Sequence, residues 1–148
     1  FGRVANFINN ELWGRPTEMP WGVVFPGNRA QDCPGIVGLC ARHPSQLYEA
    51  LLEGVFLLAL LLLFVRLKFF KKQGFIMGAF IFGYGCSRFI VEYFRIPDPQ
   101  FFSPENTMGY AFQFSNTGIT MGQFLSIPMI IVGAGIIIFS LRKKARLV

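Results

Sequence analysis

The feature that most limits how this chain can fold is a set of three long apolar runs. They cover Leu47 to Val65, Phe75 to Phe94 and Met121 to Leu141. A helix of about 20 mostly apolar residues crosses the roughly 30 Å hydrocarbon core of a bilayer, and each run meets that length. Hydrophobic residues make up 53% of the 148 residues, which is high for a soluble domain. We therefore predict an all-α, polytopic membrane protein with three full transmembrane helices.

The segment before the first run predicts the end of a fourth helix. Phe1 to about Leu12 has helical character, and Gly14 with Pro16 just beyond it is a common pattern at a helix C-terminus. The chain does not start with Met, and no signal peptide is visible. We expect a single membrane domain over residues 1–148 that forms the C-terminal portion of a longer protein.

The net charge of +6 is unevenly distributed along the chain. Basic residues follow the first and third runs, whereas the segment between the second and third runs contains Asp98 and Glu105 but no lysine. Positively charged flanks of membrane spans stay in the cytoplasm. This pattern predicts a cytoplasmic loop at 66–73, a cytoplasmic C-terminus, and periplasmic loops at 12–46 and 96–120. It argues against nucleic-acid binding, because the basic residues flank spans and form no groove. The basic residues are Arg66, Lys68, Lys71, Lys72, Arg142, Lys143, Lys144 and Arg146.

The second run contains charged residues, which are costly inside a membrane. Tyr84, Arg88, Glu92 and Arg95 recur at helical spacing and should share one helix face. A charge near the bilayer centre costs at least about 2.5–3.5 kcal/mol, so these side chains should face a protein interior or a wet cavity. Two interpretations remain, a functional site and a pair of charges that only locks helices together. A parallel row of small residues predicts close helix packing: Ala79, Gly83 and Ser87.

The first segment has a similar polar face. Arg3, Asn6, Asn10 and Gly14 would lie together on a helix, with Glu11 beside them. A guanidinium group binds phosphate oxygens in a bidentate way, so this face suits an anionic headgroup. The alternative is a solvated helix end.

Few other residues suggest chemistry. Glu49 and Glu53 begin the first run, and we interpret Glu49 as an acid that complements the helix dipole. His43 could act as a base, or it could be a cap or interface residue. Cys33 and Cys40 share a predicted periplasmic loop, where a disulfide is possible. Their spacing gives no metal signature.

Four segments together resemble the prolipoprotein diacylglyceryl transferase family. Any one of them could arise by chance in a membrane protein, but four in the family's order are highly specific. They span nearly the whole chain: GRVANFINNELWGR (2–15), RHPSQLYEALLEG (42–54), GYGCSRFIVEYFRIPD (83–98) and TMGQFLSIPM (120–129).

This resemblance implies a bacterial inner-membrane enzyme without a cofactor or metal. It would transfer a diacylglyceryl group from phosphatidylglycerol to the lipobox cysteine of a prolipoprotein signal peptide, releasing glycerol 1-phosphate. Surrounding membrane lipids are further partners. The resemblance assigns catalysis to Tyr84, Arg88, Glu92 and Glu11. It assigns phosphatidylglycerol binding to Arg3, Asn6, Gly14 and Arg95.

The general base remains open among Glu92, Glu11, His43 and a histidine of the family's upstream half. That half is missing from this chain, so the chain alone should be inactive. Two other functions are compatible with parts of the pattern: a membrane transporter of an anionic solute, which would also place arginines in a span, and a non-catalytic scaffold. Neither of these two functions is supported by matching sequence segments.

Overall fold

A computed structural model describes residues 1–97, 99–101, 103, 106, 108–114 and 117–142. Within these residues the chain is mainly helical. Its helices are α1 (Gly2–Ile8), α2 (Asn28–Gln31), α3 (Ser45–Arg66), α4 (Phe75–Val91) and α5 (Met121–Arg142). Short 3₁₀ turns lie at Phe69–Lys71 and Pro99–Phe101. The predictions that concern Asp98, Glu105, Lys143, Lys144 and Arg146 fall outside the described residues.

Helices α3 and α5 have the properties of membrane spans. Each has 22 residues, with mean hydropathies of 2.2 and 2.5 over their most apolar windows. Only 11% and 17% of those windows are buried within the protein, so most of their apolar surface faces outward. A soluble protein rarely exposes so large an apolar patch, whereas a helix in lipid does so along its length. The chain is therefore a helical membrane protein.

The second predicted span is shorter than expected. Helix α4 has 17 residues and ends at Val91, so the prediction that it continues to Phe94 is wrong. After Val91 the backbone tightens, because the amides of Tyr93 and Phe94 donate to carbonyls three residues back. Pro97 disfavours helical backbone at the residue before it. Arg95 thus lies beyond the helix rather than on its face.

The predicted helical face at the N-terminus is also interrupted. Helix α1 ends at Ile8, and Asn10 and Leu12 have positive φ angles of 55° and 57°. Such left-handed residues terminate a helix, and asparagine tolerates this conformation better than most residues. Arg3 and Asn6 remain one turn apart on α1. The prediction that Asn10 and Gly14 continue their face is wrong.

The segment between α1 and α3 folds back on itself as an ordered loop. The Gly14 amide donates to the His43 carbonyl (2.8 Å), and Val23 and Arg42 exchange two backbone hydrogen bonds of 2.9 Å each. The buried Arg42 guanidinium donates to the carbonyls of Ala30, Asp32 and Gly14. Cys33 and Cys40 form a disulfide. The segment between α1 and α3 is therefore compact and ordered by its own hydrogen bonds and disulfide.

Close packing between α4 and α5 depends on glycine. Gly133 of α5 lies against the backbone of Phe82, and Gly85 of α4 lies against Met129 and Ile130. The predicted row Ala79, Gly83 and Ser87 faces elsewhere: Gly83 contacts Leu57 of α3, and Ala79 and Ser87 are buried. Small residues let membrane helices approach closely, and here α4 uses them on two sides.

The loop before α5 contains a small exception to the predicted all-α fold. Strands β1 (Phe112–Phe114) and β2 (Thr117–Ile119) pair in antiparallel fashion, with Gln113 opposite Gly118. The hairpin leads into α5 through Thr120. The side chains of Thr120 and Gln123 each accept a hydrogen bond from the other residue's backbone amide, which is a capping box.

Candidate functional site

Three arginines converge on one buried carboxylate, that of Glu49. Its side chain is 3% exposed and forms an ion pair with Arg3 of α1. Its Oε1 lies 3.6 Å from Nη1 of Arg88 and 3.4 Å from Nε of Arg95. The cluster thus joins α1, α3, α4 and the turn after α4. Arg3 and Arg88, far apart in sequence, share this partner.

Glu92 is the second acid of the cluster. Its Oε2 lies 3.3 Å from Nη2 of Arg88 and 3.9 Å from Nη1 of Arg95. Its carboxylate also packs against Gly122 in the first turn of α5. A helix N-terminus favours negative charge, so the start of α5 is a favourable position for this carboxylate. Each of the three guanidinium groups therefore pairs with at least one of the two carboxylates.

A cavity of about 730 Å³ opens beside the Arg3 and Glu49 side of this cluster. Its polar lining comes from Arg3, Asn6, Glu49, Glu53 and Tyr84. Apolar residues complete the wall: Phe1, Val4, Val55 and Leu58. A charged end joined to an apolar wall suits an amphiphile that has an anionic headgroup and acyl chains.

A smaller cavity of about 140 Å³ lies on the other side of the same cluster. Arg88, Glu92 and Arg95 form its polar wall, and Gly122 of α5 closes it. The remaining lining is apolar: Ile96, Pro97, Phe101, Met121 and Leu125. The arginine cluster is therefore accessible from two cavities.

Two acids of α3, Glu49 and Glu53, lie one turn apart and line the large cavity. Residues Ala50–Phe56 form a π-helical stretch between α-helical ends. A π-helical stretch widens the turn and shifts side-chain direction, and such stretches are frequent at functional sites. Glu49, Glu53 and Leu58 all line the cavity across this stretch.

The segment between α1 and α3 fixes Arg95 through its backbone. Gly14 and Arg95 form a β-bridge, and Arg15 Nε donates to the Arg95 carbonyl at 2.8 Å. A side chain at Gly14 would collide with the carbonyls of Phe94 and His43. Gly14, predicted to bind lipid, therefore sits at a point of close backbone contact behind the cluster.

Among the described residues, the side chains of His43 and Glu11 form no ion pair with the arginine cluster. His43 Nδ1 is 3.1 Å from the hydroxyl of Tyr48, and its ring packs edge-on against Phe94. Burial lowers the pKa of His43 below its usual value. Glu11 is exposed; its backbone amide donates to the carbonyl of Asn6 at 2.9 Å, and its carbonyl accepts a hydrogen bond from the side-chain amide of Gln46. Neither residue lines the two cavities that border the cluster.

Sequence reasoning missed two features of the site. Glu49 is the centre of the cluster rather than a residue that only complements the helix dipole. Its one-turn spacing from Glu53 was visible, but the partners come from elements distant in sequence. Gly122 was also missed, although the Thr120-x-x-Gln123 pattern marks the start of α5 and so the position of that glycine.

Fold and site together define a helical membrane protein with an arginine cluster beside an amphiphilic cavity. The family model described as prolipoprotein diacylglyceryl transferase matches residues 1–139, and the chain belongs to that family. No solved structure matches the chain significantly.

Three relatives carry the name phosphatidylglycerol–prolipoprotein diacylglyceryl transferase. The protein of a Cereibacter sphaeroides strain is 59% identical over 89% of this chain and 46% of its own length. That of Ruegeria pomeroyi is 59% identical over 97% of this chain and 48% of its own length. That of Methylocella silvestris is 48% identical over 97% of this chain and 46% of its own length. The chain thus spans about half the length of these relatives.

Proposed function

We propose that the protein containing this chain transfers a diacylglyceryl group from phosphatidylglycerol to the lipobox cysteine thiol of a prolipoprotein. Glycerol 1-phosphate is the second product. The observation that carries the proposal is the convergence of Arg3, Arg88 and Arg95 at the polar end of a large amphiphilic cavity. The names of the relatives support the same reaction and do not favour an anion transporter.

The charge of the cluster suits the substrate. A lipid phosphodiester carries one negative charge, and guanidinium groups bind phosphate oxygens through paired N–H donors. As the sulfur attacks the glyceryl carbon, the carbon–oxygen bond breaks and its electron pair goes to the leaving phosphate. Fixed guanidinium groups stabilise charge that develops in this way, because they need no reorganisation at the moment of reaction.

The acceptor thiol must lose a proton during the transfer. A free thiol has a pKa of about 8.5, so a base or nearby cation is needed at neutral pH. Among the candidate bases in this chain, Glu92 is the one in the cluster, and it borders the smaller cavity. Arg88 and Tyr84 act on the reacting groups in this proposal. Arg3, Asn6 and Arg95 bind the headgroup, while the role of Glu11 rests on the resemblance alone.

We also propose the membrane arrangement. Helix α4 spans about 25 Å at 1.5 Å per residue and packs along α5, so it would cross the membrane together with α3 and α5. Helix α1 would be the end of a further span. The protein would be a multi-pass protein of the bacterial inner membrane. Loops 12–46 and 96–120 would be periplasmic, and loop 66–73 and the C-terminus cytoplasmic.

The test uses the full-length parent protein with labelled phosphatidylglycerol and a lipobox peptide. Wild-type protein should produce lipidated peptide, and Arg88→Ala should abolish it. Arg29→Ala is the matched control, since Arg29 is exposed in the outer loop and lines neither cavity beside the cluster. Wild-type protein that forms no lipidated peptide would refute the proposal.

A further inference from the structure

We infer that Glu49 is a positioning residue that holds Arg3, Arg88 and Arg95 as one phosphate-binding unit. The inference rests on the proposed function, because the unit would bind the phosphate of the lipid substrate. It assigns a role to a residue that sequence reasoning had treated as part of a helix N-terminus.

The contacts of Glu49 carry this inference. One carboxylate oxygen pairs with Arg3, and the other faces both Arg88 (3.6 Å) and Arg95 (3.4 Å). The three arginines come from separate elements, and each of them pairs with Glu49. Glu92 contacts Arg88 and Arg95 but has no ion pair with Arg3 among the described residues. Glu49 therefore links the arginine of α1 to Arg88 of α4 and to Arg95 in the turn beyond α4.

The acid that joins the three arginines is more buried than the arginines are. The side chain of Glu49 is 3% exposed, while those of Arg3, Arg88 and Arg95 are 35%, 22% and 20% exposed. Each guanidinium group thus pairs with the buried acid and keeps part of its surface accessible. A carboxylate behind three cations also limits their mutual repulsion, which would otherwise drive them apart. The arginines are held in place before a phosphate arrives.

Such preorganisation acts on the rate of the chemical step. A displacement of about 1 Å in a positioning group can cost about 100-fold in rate. Removing the Glu49 charge adds net positive charge, so it should not by itself weaken the attraction for an anionic lipid. A positioning role therefore predicts a loss in kcat with little rise in KM for phosphatidylglycerol.

The experiment measures kcat and KM for phosphatidylglycerol with a lipobox peptide, using the full-length parent and normalising to folded protein. We expect Glu49→Gln to lower kcat by about 100-fold with KM nearly unchanged, and Glu49→Asp, which keeps the charge on a shorter arm, to recover part of the loss. Glu18→Gln is the matched control, because Glu18 is exposed in the outer loop and should behave as wild type.

A double-mutant cycle tests whether Glu49 acts through the arginines. Arg3→Lys and Glu49→Gln should be non-additive, since they alter the same contact. Wild-type activity in Glu49→Gln, or fully additive effects, would overturn the inference. If Glu49→Gln does not fold, Glu49→Asp decides: a kcat at least about tenfold below wild type supports the role, and an unchanged kcat refutes it. An inactive wild type would instead refute the proposed function.

Discussion

The carboxylate of Glu92 rests directly against Gly122, at the first turn of α5. A methyl group added at Gly122 would overlap the carboxyl carbon and both oxygens of Glu92. The same carboxylate pairs with Arg88 and Arg95. The absence of a side chain at position 122 thus determines where Glu92 can sit, and with it the position of two arginines.

Gly122→Ala should therefore impair the reaction although it changes no charged group. The added methyl displaces Glu92, and we expect kcat/KM in the lipidation assay to fall by about tenfold or more. Gly135→Ala is the matched control in the same helix, because a methyl group there meets no atom within 4 Å. Equal activity of the two variants would contradict the role given to Gly122.

His43→Asn should leave most of the transfer activity intact. His43 contacts Tyr48 and Phe94 and lies outside both cavities beside the cluster, so we interpret it as an interface residue. Loss of a general base costs roughly 10²- to 10⁴-fold in rate. A loss of that size, measured on folded protein at saturating lipid, would restore His43 as the candidate base.

The stability of the protein should fall as the pH drops from about 7 to 5, with His43 as one cause. Burial lowers the pKa of His43 in the folded state, so the unfolded chain binds a proton first as the pH falls through about 6.5. Stability is then lost until the pH reaches the lowered pKa. Thermal melts in detergent at several pH values should show a smaller loss for His43→Asn than for wild type. An identical pH dependence would exclude this contribution.

The disulfide between Cys33 and Cys40 should stabilise the segment between α1 and α3. Closing a short loop lowers the conformational entropy of the unfolded chain. In the chain-entropy model this stabilises the folded state by about 2–3 kcal/mol. The double variant Cys33→Ala/Cys40→Ala should melt at a lower temperature, and a reductant should lower the melting temperature of wild type but not that of the variant. Cys86→Ala, which removes the free cysteine of α4, should keep the wild-type response to reductant.

The proposed orientation can be tested by thiol labelling of intact cells. In a Cys86→Ala background, Glu18→Cys should react with a membrane-impermeant reagent, whereas Lys71→Cys should react only after lysis. Both positions are exposed. Asn106 is a poorer probe, because its side chain makes hydrogen bonds to Phe101 and Tyr110. Labelling in the opposite pattern would reverse the topology.

The sequence predicted the long helices well because their signal is local. The bounds of the first and third apolar runs lie within two residues of the bounds of α3 and α5. Hydropathy finds them because the apolar residues that define each helix are consecutive in the sequence. The ends of α1 and α4 were predicted less well. They depend on backbone details, such as left-handed Asn10 and the turn after Val91, that apolar patterning does not encode.

The arginines of the site could be predicted, but their common partner could not. Arg88 stands out because a charge in an apolar run is costly, and Arg3 stands out because it shares a predicted helix face with amide side chains. Glu49 does not stand out, because an acid at a helix start has an ordinary explanation. Only the tertiary arrangement brings Arg3, Arg88 and Arg95 to it, from positions on three separate elements.

Glu49 joins α1 to α4, and its position depends on the number of residues in the π-helical stretch of α3. Each residue of an α-helix adds a rotation of about 100° about the helix axis. Deleting one residue from Ala50–Phe56 would therefore turn Glu49 by a large angle relative to the lipid-facing surface of Leu57–Arg66. The hydropathy profile would hardly change, and the helix would still be long enough to enter a membrane. The rotational register of α3, and not only its length and hydropathy, therefore decides whether Glu49 can meet arginines from α1 and α4.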